Sequence, residues 1–75
     1  MNTAFEVTAD DVLVVMANNL KPVTIEQAEN LFDLHISLNA DEIEDAALHG
    51  NDIDEQTSYA HDKIKEILTE AGVLP

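Results

Sequence analysis

Apolar residues recur along this chain with the period of an α-helix, in segments set apart by capping residues. In the first segment, from Ala9 to Asn19, positions Val12, Val15, Met16 and Asn19 fall at i, i+3, i+4 and i+7. Leu13 and Val14 widen that stripe, so this segment presents the broadest apolar surface. Thr8 is placed to cap it, its hydroxyl accepting from an orphan N–H. Asp10 and Asp11 suit the positive end of the helix dipole. Pro22 pushes Lys21 out of the α region and ends the element.

A second segment, from Ile25 to Ile36, opens with a capping box in which Thr24 and Gln27 satisfy each other's backbone N–H groups. Ile25, Ala28, Leu31, Phe32, His35 and Ile36 share one side, and Glu26, Glu29 and Asp33 form a strip beside it. A third, short segment repeats the device with Asn39 as N-cap and Glu42 at N3, Leu38 and Ile43 being spaced as a hydrophobic staple. It runs to His49, where Gly50 supplies a left-handed residue. Ile43, Ala46 and Ala47 face in, while Asp41, Glu42, Glu44 and Asp45 face out.

The last segment is opened by Asp52 and Glu55 and carries an apolar stripe of Ile53, Thr57, Ala60, Ile64, Ile67, Leu68 and Ala71. Gly72 sits at C′, with Val73 positioned to touch Leu68 as in a Schellman motif. The alternation of Phe5 and Val7 about Glu6 makes a short extended arm the expectation for residues 1–7, although a lone strand does not stand without a partner. Capped amphipathic segments with short connections predict an all-α fold, a small bundle of three to four short helices forming a single domain across residues 1–75.

Composition narrows the function classes. Leu, Ile, Val and Phe supply 22 of 75 residues, enough to build a core. Three Lys face 16 Asp and Glu, for a net charge of −13. That balance excludes direct nucleic-acid binding, which needs a basic surface, and argues against anionic membranes. The absence of Cys removes disulfides, thiolate chemistry and Cys-ligated metal, and fits a reducing cytoplasm. The N-terminal residues lack a basic run followed by a long apolar one, so neither signal peptide nor membrane span is expected.

Catalytic and metal-binding readings fail on chemistry. Ser58 and His61 share a helix side near Asp54 and Asp62, but nothing activates the serine and no Gly-rich turn offers an oxyanion hole. His35, His49 and His61 match no zinc spacing, and His35 falls on an apolar arc where a packed histidine is expected. Asp52-Ile53-Asp54-Glu55-Gln56 begins like a calcium loop, but Thr57 stands where Gly is needed and Lys63 where Glu is needed. No enzyme activity, cofactor or metal is therefore expected. Acyl carrier proteins share this size, acidity and helical content, and Ser37-Leu38 resembles their phosphopantetheine attachment site. Ile36 replaces the Asp before the carrier serine, and a capped helix occupies the place of the carriers' long loop. Ser37 as an attachment site stands as an alternative, as does a structural role as a homodimer.

What remains is the charge. Between Lys21 and Lys63 there is no Lys or Arg, yet eleven carboxylates occur there. Carboxylates at i, i+3 and i+4 on a helix lie about 5–6 Å apart and repel by a few tenths of a kcal/mol per pair. Mixed charges would give solubility at lower cost, although a solvated acidic surface is the plain explanation. The sharper expectation is a face that meets a basic partner, the carboxylate rows standing in for a phosphate backbone. The residues expected to bind that partner are Glu26, Glu29, Asp33, Asp41, Glu42, Glu44, Asp45, Asp52, Asp54 and Glu55, with Leu34 and Leu48 as apolar anchors.

Two stretches add a resemblance. Ala9-Asp10-Asp11-Val12 near the start, and Asp54-Glu55-Gln56-Thr57-Ser58-Tyr59 leading to Ile67-Leu68-Thr69-Glu70-Ala71-Gly72-Val73-Leu74, resemble short acidic accessory proteins of bacteriophages, prophages and other mobile elements. The resemblance covers the two ends of the chain and transfers no catalytic residue. It implies a bacterial cytoplasmic setting and a role against a host nucleic-acid-handling protein.

Overall fold

Thr8, extended at φ −137°, ψ 173°, hands the chain into α1 (Ala9–Asn18). Asp11 Oδ2 accepts the Thr8 N–H at 2.8 Å and faces the Thr8 hydroxyl at 3.4 Å, so Thr8 donates to the carboxylate at this helix start. α1 ends in a Schellman motif: Lys21 N–H reaches the Met16 carbonyl at 3.0 Å and Leu20 N–H the Ala17 carbonyl at 3.1 Å. The left-handed residue of that motif is Leu20, at φ 63°. α1 thus stops through its own C-terminal turn, just before Pro22.

The capping box at Thr24 forms as the spacing predicts. Gln27 N–H donates to Thr24 Oγ1 at 3.1 Å and Thr24 N–H to Gln27 Oε1 at 3.0 Å, opening α2 (Ile25–Leu31). Beyond it the sequence predicts a break and a new cap at Asn39, and here the structure differs. The chain stays helical through a π turn (Phe32–Ile36) and a 3-10 turn (Ser37–Asn39) into α3 (Ala40–Ala47). Ser37 N–H bonds five residues back to the Phe32 carbonyl, and Ala40 N–H three back to Ser37. With no orphan N–H groups to serve, Asn39 does not cap. Its amide instead donates to the His35 carbonyl at 2.9 Å, and the Ser37 hydroxyl donates to the Asp33 carbonyl at 3.2 Å. These bonds serve carbonyls where the helical ladder changes register. The staple is absent too: Leu38 is 85% exposed while Ile43 is buried.

A π turn winds more loosely than an α-helix and a 3-10 turn more tightly. The two rotations oppose each other, so Ala28, Ile36 and Ile43 all remain fully buried along one path.

Gly50 lies outside the left-handed region, contrary to expectation. It is needed for a close approach: a Cβ there would stand 2.5 Å from the Gln56 backbone N and 2.8 Å from the Glu55 carbonyl carbon. α4 (Ile53–Glu70) then starts with Asp52 Oδ1 accepting the Glu55 N–H at 2.9 Å. Glu55 reaches back one residue further than a capping box would, to the Asn51 N–H at 2.8 Å. At its far end Gly72 takes φ 81°, and Val73 N–H bonds the Leu68 carbonyl at 2.9 Å, completing the predicted Schellman motif.

The structure is a computed structural model that describes residues 6–75. Most of the expected N-terminal arm, including Phe5, lies outside the described residues. Val7, its last position, is 6% exposed and belongs to the core.

Two long-range contacts fix the helix directions. Asp11 in the first turn of α1 meets His61 midway along α4, and Lys21 past the end of α1 donates to the Val73 carbonyl past the end of α4, at 2.8 Å. α1 and α4 therefore run side by side in the same sense, with the α2–α3 path returning between them in the chain. The result is an all-α, up-down-up bundle. Val12, Val15 and Met16 of α1, Ala28, Ile36, Ile43 and Ala47 of the middle path, and Ala60, Ile64 and Leu68 of α4 fill its core. Ile25 and Ile53, counted on the apolar stripes, are about half exposed at the first positions of their helices. No helix among the described residues is long and apolar enough to cross a membrane.

Candidate partner-binding face

All but one of the carboxylates between Lys21 and Lys63 sit where the helix periods put them, on the side turned from the core. Glu26 and Glu29 on α2, Asp33 in the π turn, and Asp41, Glu42 and Asp45 on α3 are all exposed. Glu44 is half-buried, so it does not stand among them as its neighbours do. Asp52, Asp54 and Glu55 are exposed at the start of α4. Two of those three have local work, Asp52 capping α4 and Glu55 holding the Asn51 N–H.

The lysines form no salt bridge with the middle path among the described residues. Among the described residues the salt bridges are His61–Asp11 and Lys63–Glu66, each at 2.9 Å, and neither involves a carboxylate of α2 or α3. The hydrogen bond to Glu66 raises the Lys63 pKa, and the charges of Glu66, Glu42 and Glu70 act in the same direction. Lys63 therefore stands in a field set by acids of two helices. Lys21 spends its ammonium on the Val73 carbonyl.

Such a surface attracts cations and repels phosphates. It has no built ligand cage: among the described residues no three His, Asp or Glu side chains gather as a metal set. His61 is turned to Asp11, with Nε2 2.9 Å from Oδ1, while Ser58 is exposed on the same helix. Ser37 is exposed within a continuous helical path, its hydroxyl engaged with Asp33.

The apolar anchors differ from expectation in one respect. Leu34 is 67% exposed and Leu48 49%, as their polar-side positions predict. Leu38 is more exposed than either, at 85%. The helix expected to end at Ile36 leaves Leu38 as a staple residue; only the continuous helical path sets it four positions on from Leu34 along one face.

Comparison with protein-family models, with curated proteins and with solved structures finds no match to this chain.

Proposed function

We propose that this protein is a non-enzymatic binding module whose acidic helical face captures a basic surface on another protein. The observation that supports this most is the row of exposed carboxylates from Glu26 to Asp45, none of them in a salt bridge among the described residues. Self-repulsion along that row costs stability. A cationic partner would remove the cost and add steering during approach. A nucleic-acid-handling host protein has such a surface by necessity, since phosphates demand one. The face then acts as a decoy for the phosphate backbone, in the bacterial cytoplasmic setting of mobile-element accessory proteins.

The experiment is affinity capture from bacterial lysate at low and high ionic strength, with duplex DNA as competitor. The expected outcome is a salt-sensitive protein that DNA displaces and that Asp41→Asn, Glu42→Gln and Asp45→Asn together release. Capture of nothing at low ionic strength, or capture unchanged by those substitutions, overturns the reading.

A further inference from the structure

Leu34 and Leu38 are the two most exposed large apolar side chains of the α2–α3 path, at 67% and 85%. They stand where the helix winds irregularly, Leu34 in the π turn and Leu38 in the 3-10 turn. Both lie opposite Ile36, which is fully buried between them in sequence. Side chains four apart form a segment of the ridge that packs into the groove of a second helix. Asp33, Asp41, Glu42 and Asp45, all exposed, lie within the neighbouring turns. No Lys or Arg occurs anywhere on the path.

Charge selects the occupant. A second copy would bring another −13 against this face, and like charge disfavours it. A cationic helix with one apolar stripe matches both features. Its apolar side covers the leucine ridge, and its Lys or Arg side chains reach the flanking carboxylates, their stems lying along the apolar surface.

We propose that the Leu34–Leu38 ridge is the apolar anchor of the acidic face and seats a cationic amphipathic helix of the partner. The proposal rests on the acidic-face reading and adds the part that sets specificity, since charge alone does not distinguish one basic surface from another.

The test measures binding of two synthetic leucine–lysine peptides, each about five helical turns long. One carries its leucines at i, i+3, i+4 and i+7; the other has the same composition scrambled around the helix. The wild-type chain should prefer the amphipathic peptide. Leu34→Ala with Leu38→Ala should weaken that peptide at least tenfold and leave the scrambled one unchanged, with the helical circular-dichroism signal intact. Leu34→Met with Leu38→Met should restore most of the preference. Equal binding of both peptides by wild type, or amphipathic binding indifferent to the alanine pair, overturns the anchor while leaving the acidic face standing. Binding of neither peptide at low ionic strength overturns the acidic face itself. A wild-type dimer in sedimentation that the alanine pair dissociates assigns the ridge to a second copy and overturns the proposal.

Discussion

Asp11 Oδ1 lies 2.9 Å from His61 Nε2, joining the first turn of α1 to the middle of α4 across 50 positions of chain. The same carboxylate holds the Thr8 N–H through its other oxygen. Burial opposes its ionisation, but the His61 hydrogen bond, the Thr8 N–H, the charge of His61 and the Thr8 hydroxyl outweigh that, holding its pKa below the ordinary 3.8. A lowered carboxylate pKa contributes stability that is full above the unfolded value and lost as pH falls through the folded one. Asp11→Asn should therefore destabilise by about 1–2 kcal/mol at neutral pH. The gap from wild type should close as pH falls below about 4. Urea unfolding at several pH values checks this; a gap that widens in acid contradicts the assignment.

Gly50→Ala should destabilise by about 2 kcal/mol or more, because the new methyl meets backbone atoms of Glu55 and Gln56 that cannot rotate away. The α3–α4 connection would have to open. Denaturant midpoints for this variant and for an exposed control such as Ala17→Ser separate a clash from a propensity effect.

Leu20 and Gly72 make opposite predictions from one motif. Leu20 holds φ 63° with its side chain 92% exposed, so Leu20→Gly should gain about 0.5–1 kcal/mol by releasing left-handed strain. Gly72→Ala should lose about 1 kcal/mol although nothing lies within 4 Å of the added Cβ, since φ 81° disfavours any L side chain. Thermal melts that shift in the same direction for both would refute the strain argument.

Moderate NaCl should raise the melting temperature by screening repulsion among the α2 and α3 carboxylates. Neutralising Asp41, Glu42 and Asp45 as amides should shrink that salt response. A melting temperature that falls with salt would mean that attractive pairs such as Lys63–Glu66 outweigh the repulsion.

The elements legible in the sequence are those decided within one turn. The Thr24–Gln27 box and the Gly72 terminus need only residues three to six apart, and both form as spacing predicts. The junction at Asn39 does not. Asn is a good acceptor for orphan N–H groups, but packing of Ile36 and Ile43 into one core keeps the chain helical and leaves Asn39 to donate instead. Gly50 shows the same limit: a left-handed turn and a close approach both favour Gly, and only the position of Gln56 tells them apart. On the candidate face, period and polarity anticipate which carboxylates are exposed. They miss the half-burial of Glu44, which lies four after Ala40 and three before Ala47 on the flank of the α3 stripe, and the exposure of Leu38, which is set by how the path winds between its two α segments.

The three lysines have a consequence beyond their individual bonds. Lys63 and Lys65 ride on α4, and Lys21 sits where α1 and α4 end together, so every full positive side-chain charge lies off the α2–α3 path. Lys63 nevertheless lies in the field of Glu42 on α3, so its charge borders that path rather than facing away from it. Neutralising Lys63 would therefore deepen the negative field over α3, an effect that a charge change far along α1 would not have.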